Sequence, residues 1–167
     1  MRKTIVGVMG PGSGASETDR KNAYTLGLLI AREGWVLLTG GRNVGVMDAS
    51  SRGAKAANGL VVGILPDESD RKRSEAVDIA IITDMGSARN NINVLSSDVV
   101  IACGMGVGTA SEVALALKAN KPVILLTNHQ ESQRFFKSLS NDTISLADSP
   151  EAAIQLVKEA LLRRGEC

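Results

Sequence analysis

Apolar residues fall along this chain in two alternating rhythms. Short continuous apolar runs end in glycine or proline, and each is followed by a longer stretch with apolar positions three and four apart. The first run, Thr4 to Met9, predicts a strand that opens into Gly10-Pro11-Gly12-Ser13-Gly14. Ser16 then offers a helix cap, with Glu17 and Asp19 in the first turn. Ala23, Leu26, Leu29 and Ile30 repeat at helical spacing up to Gly34. Trp35 to Thr39 predicts a second strand, and a second helix runs through Met47, Ala54 and Ala57 to Asn58-Gly59. Leu60 to Leu65 predicts a third strand, stopped by Pro66.

The polar stretch Asp67 to Glu75 breaks the rhythm and predicts one long loop. Val77 to Thr83 is the fourth expected strand. It leads into Asp84-Met85-Gly86-Ser87-Ala88-Arg89-Asn90 and a helix carrying Ile92, Val94 and Leu95, ended near Ser97. Asp98 to Ala102 predicts a fifth strand, which runs into Cys103-Gly104-Met105-Gly106-Val107-Gly108 and a helix from Thr109 to Lys118. A strand at Pro122 to Leu126, a helix around Gln130 to Leu139 and a short strand at Thr143 to Leu146 follow. The last helix starts with Ser149 as cap and Pro150 at its first position, and ends at Arg163 and Arg164.

Apolar strands alternating with helices predict a parallel sheet covered on both faces. The expected fold is therefore α/β, a Rossmann-like doubly wound sheet of about six to seven strands, and residues 1–167 read as one domain. In such sheets ligands bind at the carboxyl ends of the strands, where strand order reverses. The glycine-rich loops after the first, second, fourth and fifth strands all belong to that edge.

Composition narrows the classes of function. The net charge of +1 gives no general electrostatic case for nucleic acid or a membrane surface, and no apolar run approaches a membrane span. Arg71-Lys72-Arg73 is interleaved with acids and reads as a solvated loop. Two distant cysteines and one histidine, His129, suggest neither a disulfide framework nor a protein-ligated metal. No secretory leader is expected, and a reducing cytoplasm fits. With 2% aromatic residues the core must be built from Val, Ile, Leu and Ala.

The loops carry the chemistry. Three alternate glycines, Gly104, Gly106 and Gly108, stand before a helix whose free amides favour an anion. Gly10 to Ala15 fits a dinucleotide fingerprint, but Thr39-Gly40-Gly41-Arg42 offers no acid for a ribose; Arg42 there leaves an NADP-type module as a weaker alternative. There is no Walker sequence. Arg89 stands where a guanidinium can grip a phosphate or carboxylate, or simply start a helix. Glu112 can take part in chemistry, or close a capping box with Thr109.

Gly104-Met105-Gly106-Val107-Gly108-Thr109-Ala110-Ser111-Glu112 resembles the Pro-Gly-Gly-x-Gly-Thr-x-x-Glu signature of the Lonely Guy, or lysine-decarboxylase-like, superfamily. Gly40-Gly41-Arg42-Asn43-Val44-Gly45-Val46-Met47 is similar to its Gly-Gly-Gly-x-x-Gly-Leu-Met loop. The superfamily's enzymes cleave the N-glycosidic bond of nucleoside 5′-monophosphates, and the resemblance would make Arg89 and Glu112 the catalytic pair. This chain departs from the pattern. Met85-Gly86-Ser87-Ala88-Arg89-Asn90 replaces Met-His-x-Arg-Lys, and Arg42 replaces a glycine. The variant pattern resembles a short branch that includes molybdenum cofactor carrier proteins, which form homo-oligomers and hold an anionic pterin phosphate without turning it over.

That resemblance implies a cargo of molybdenum cofactor and a homodimer or homotetramer, with apo-molybdoenzymes as possible recipients. Nucleoside-monophosphate hydrolysis is the alternative. The implied cargo site comprises Gly12 and Ser13 in the first loop and Gly40, Gly41, Arg42, Asn43 and Gly45 in the second. Ser87, Arg89 and Asn90 come from the fourth. Gly104, Met105, Gly106, Val107, Gly108 and Thr109 come from the fifth.

Overall fold

The computed structural model describes residues 2–140, 142–163 and 165. Seven strands, β1 (Ile5–Met9), β2 (Val36–Thr39), β3 (Val61–Leu65), β4 (Ile79–Ile82), β5 (Val99–Cys103), β6 (Val123–Leu126) and β7 (Ile144–Leu146), form one sheet. Six helices connect them: α1 (Glu17–Arg32), α2 (Gly45–Ala56), α3 (Arg89–Ser96), α4 (Val107–Lys118), α5 (Gln130–Leu139) and α6 (Pro150–Arg163). Strand order is β4-β3-β2-β1-β5-β6-β7, and every pairing is parallel. The doubly wound α/β fold read from the sequence is the one observed. Arg164 and Cys167 lie outside the described residues.

Alternation along the strands divides the core. Val6, Val8, Leu37, Ile101 and Ile124 face α1, α2 and α6. Met9, Leu38, Val100, Ala102 and Leu125 face α3, α4 and α5. Central strands are thus apolar on both sides, as a two-face-covered parallel sheet requires. No helix among the described residues is long and apolar enough to cross a membrane.

Three local devices fix the elements around the sheet's carboxyl edge. Ser16 Oγ accepts from Asp19 N at 3.0 Å while Asp19 Oδ2 accepts from Ser16 N at 2.9 Å, a capping box that starts α1. Helices α1 and α2 then pack through Gly27 and Gly53; a Cβ at either position would overlap the backbone of the facing helix, at Ser50 or Tyr24 respectively. The segment after β3 folds back on the loop after β2: Asn43 N donates to Lys72 O at 2.8 Å, and Ser74 N donates to Gly41 O at 2.9 Å.

The loop expected at 67–75 is present, and that last contact seats its end on the protein. Arg71 and Lys72 are exposed, but Ser74 is buried and its hydroxyl donates to Asp48 Oδ1 at 2.6 Å. Strand β4 is shorter than the apolar run around it. Val77 is drawn out of the strand by a turn in which its N–H reaches Ser74 O, and its side chain joins the core.

Candidate functional site

The strand order reverses between β1 and β5, since β2 lies on one side of β1 and β6 on the far side of β5. A cleft of about 400 Å³ opens there at the carboxyl ends of the strands. One wall is the loop after β1, Gly10 to Gly14. Gly40, Arg42, Val44 and Met47, after β2, form the second. Gly106, Val107, Gly108 and Thr109 bring in the start of α4, and Arg89, Asn90 and Glu112 complete the lining.

Glycine is required around this cleft because neighbouring atoms leave no room for a side chain. A Cβ at Gly45, which has φ +56°, would overlap the Gly12 and Pro11 carbonyls. One at Gly40 would sit 2.7 Å from Arg89 Nη1. Gly108 is the opposite case: it lies inside α4 with open space where its Cβ would be.

Helix α4 begins two residues earlier than the spacing suggests. Gly106 is its N-cap and no side chain caps it, so the first-turn amides have no intrahelical acceptor. Thr109 is buried, and its Oγ1 has no hydrogen-bond partner among the described residues. Glu112 is the sixth residue of the helix and lies too far along to close a capping box. Its Oε1 instead accepts from Asn93 Nδ2 at 2.9 Å. The capping alternative for Glu112 is therefore replaced by a cross-helix bond to α3.

Arg89 is also more than a helix-start residue on the surface. It is 9% exposed, and its Nη1 donates to Gly40 O at 2.6 Å and to Ile64 O. One guanidinium nitrogen thus ties down the carboxyl ends of β2 and β3, while Nε has no partner among the described residues. Burial pulls the Arg89 pKa down and Glu112 opposes the pull, so the guanidinium stays charged. Burial pushes the Glu112 carboxyl up, against the Asn93 hydrogen bond and Arg89. The floor combines a buried arginine and a buried carboxyl with three buried polar atoms, Arg89 Nε, Asn93 Oδ1 and Thr109 Oγ1, that have no partner among the described residues.

Of the residues expected to hold cargo, Gly12, Ser13, Gly40, Arg42, Arg89, Asn90, Gly106, Val107, Gly108 and Thr109 come together in this cleft. Arg42 is engaged by Asp67 through Nε and Nη2 at 2.8–3.0 Å. Asn90 Nδ2 donates to Ser111 Oγ at 2.9 Å, joining α3 to α4. Six others are placed elsewhere. Gly41, at φ +74°, packs on Gly63. Asn43 and Gly45 turn to a second groove, between α1 and α2. Ser87 is exposed on a single 3-10 turn, Gly86–Ala88. Gly104 lies against the Asp19 carboxylate, and Met105 packs on the core beneath α4.

Asn93 is a site residue the sequence reading passed over. The signal was present, because Arg89 and Asn93 stand four apart and so share a face of α3. Cys103 contributes no thiolate: burial, then Asp19, push its pKa up to about 12, and its Sγ donates to Asp19 O at 3.4 Å. His129 caps α5, its Nδ1 accepting from Ser132 N at 3.2 Å.

Known proteins share this architecture closely. The molybdenum cofactor binding protein of the phototrophic bacterium Rippkaea orientalis is 64% identical, with a TM-score of 0.95 over 96% of this chain and 99% of that one. The Moco carrier protein of Chlamydomonas reinhardtii is 51% identical, with a TM-score of 0.91 over 97% of this chain and 99% of that one. Cytokinin riboside 5′-monophosphate phosphoribohydrolase of Mycobacterium tuberculosis is 34% identical over 93 residues, 54% of this chain and half of that protein. Residues 3–154, the stretch that carries all seven strands and the walls of the cleft, match the SLOG cluster4 family, to which this chain belongs.

Proposed function

We propose that the cleft holds molybdenum cofactor as cargo, for storage and transfer, with the protein contributing no ligand to the metal. The observation that carries this is the lining: backbone amides of glycine loops, the uncapped start of α4 and a buried Arg89, arranged on a chain similar over almost its whole length to proteins that bind this cofactor. The phosphate would take the first-turn amides of α4 and the Thr109 hydroxyl, where a helix N-terminus favours an anion. Val44, Met47 and Val107 offer the pterin an apolar contact. Val107 is 92% exposed at the rim.

The test is direct. The protein is incubated with released cofactor, passed through a desalting column, and used to reconstitute an apo-molybdoenzyme. Retention and transfer are expected. Gly108→Ala is expected to keep or slightly raise stability, by up to about 1 kcal/mol, because alanine replaces glycine within a helix. It should lose cofactor, because its methyl occupies cleft space. Full retention by this variant would move the cargo off α4.

A second reading, nucleoside 5′-monophosphate hydrolysis, is favoured by one observation: Arg89 and Glu112 line the same cleft. Free base released from AMP or isopentenyl-adenine ribotide, and lost in Glu112→Gln, would establish it. Against it, Glu112 is buried and held by Asn93.

A homodimer or homotetramer completes the proposal. Strand β4 is a sheet edge with Ile79, Ile81 and Ile82 each 44–50% exposed, an apolar edge of the kind that invites pairing. Light scattering is expected to give a multiple of 17.5 kDa for the native chain and a shift toward monomer for Ile82→Lys.

A further inference from the structure

The floor of the cleft sets a problem of charge. An anionic cargo needs a floor that attracts it, yet Glu112 is a carboxyl group in that floor, close enough to Arg89 to act on its charge. An ionised Glu112 cancels the arginine just where the anion would feel it.

Asn93 bears on the solution. It is fully buried on α3, and its Nδ2–H donates to Glu112 Oε1 at 2.9 Å. Its Oδ1 has no hydrogen-bond partner among the described residues. A buried carbonyl oxygen is rarely left so. An amide and a neutral carboxylic acid match in shape: the amide N–H donates to one acid oxygen, and the acid O–H donates to the amide oxygen. One of those two bonds is present here, and the acceptor of the other is the unpaired atom.

We infer that Asn93 is the positioning residue of this floor, and that its amide and the Glu112 carboxyl form an acid–amide pair that draws a proton from solvent, to the extent the free carboxyl is ionised, as an anion enters the cleft. This rests on the anion-holding function proposed above. With the proton in place, the Glu112 hydroxyl donates to Asn93 Oδ1. Arg89 then faces the anion with its charge uncancelled. The groups acting on Glu112 are Asn93 and Arg89, both from α3; Arg42 and Asp67, after β2 and β3, act on Arg89 in turn. The β1 residues that line the cleft, Val8 and Met9, are apolar. Burial already favours the neutral carboxyl.

The sign follows from linkage. Glu112 has a folded pKa above its unfolded value, which is about 4.3. Its contribution to stability is therefore present at acid pH and lost as pH rises through the folded value. Anion binding that needs the proton weakens in the same direction, by at most about tenfold per pH unit for one linked proton.

The test uses sulfate, an anion that does not titrate between pH 5 and 8, so that any proton taken up belongs to the protein. Sulfate binding is measured by calorimetry in two buffers of different ionisation enthalpy. The native protein is expected to take up a fraction of a proton per sulfate and to bind more weakly as pH rises. Glu112→Gln carries the amide N–H that the neutral acid mimics. It should bind at pH 8 as tightly as the native protein binds at pH 5, with no proton uptake. Asn93→Leu strips the carboxyl of the amide whose present bond favours the ionised form, and should move the pH profile to higher pH. Sulfate binding without proton uptake overturns the acid–amide pair and leaves the anion cleft standing. A native pH profile in Asn93→Leu removes Asn93 from the role. Failure of sulfate to bind at any pH overturns the anion cleft, and the pair with it.

Discussion

Replacing Arg89 with alanine is expected to abolish cargo retention and to lower the unfolding free energy by about 3–5 kcal/mol, the scale seen when one member of a buried charged network is removed. Three losses coincide. The Gly40 and Ile64 carbonyls lose the guanidinium that joins the ends of β2 and β3. Glu112 loses its compensating charge. The cleft loses its one buried cation among the described residues. Urea unfolding at pH 5 and pH 8 separates these terms. The deficit should be smaller at pH 5, where Glu112 is more nearly neutral and needs its partner less. Arg89→Lys keeps the charge but cannot reproduce the fork, so it should recover part of the stability and less of the retention. An alanine variant as stable as the native protein would contradict the placement of this side chain.

Gly27→Val should be damaging without touching the cleft. Even a bare Cβ at Gly27 would overlap Ser50 O, and it would lie 2.8 Å from Ala54 N. These are backbone atoms of α2 and cannot swing aside as a side chain could. Overpacking ordinarily costs about 1–3 kcal/mol, and a clash with helix backbone belongs at or beyond the top of that range. Gly14→Ala is the control. No atom lies within 4 Å of its added Cβ, so its stability should stay within about 0.5 kcal/mol of the native value. Equal loss in both variants would show that glycine's backbone freedom, and not the helix contact, is what matters at Gly27.

Much of the fold was legible because central parallel strands are apolar on both faces. The strand expected at Asp98 to Ala102 is observed one residue further along, at Val99–Cys103, and is buried at every position. Legibility fell at the sheet edge. In β4 the run Val77 to Thr83 mixes one core residue recruited by a turn with an edge strand whose isoleucines are half exposed. The site was legible where the backbone carries the function. Glycines at 12, 40, 106 and 108 announce themselves by type and by their place after strands. Side chains that work through distant partners left little local trace. Arg42 meets Asp67 across 25 positions, and Arg89 reaches Gly40 across 49. Neither pairing has a periodicity to betray it. Asn93 was the exception, legible from its four-residue offset once α3 was drawn as a helix.

The uncapped start of α4 has a kinetic consequence. Its donors are backbone amides held by the helix behind them and by the loop that Gly106 ends, so they do not have to reorient when a phosphate arrives. Capture should then be limited by encounter more than by rearrangement. Dwell time should follow the strength of the hold, because affinity differences among related sites usually appear in the dissociation rate. On the proposed function, delivery would be set by how long the cleft keeps its load, and a weaker floor would make a faster donor.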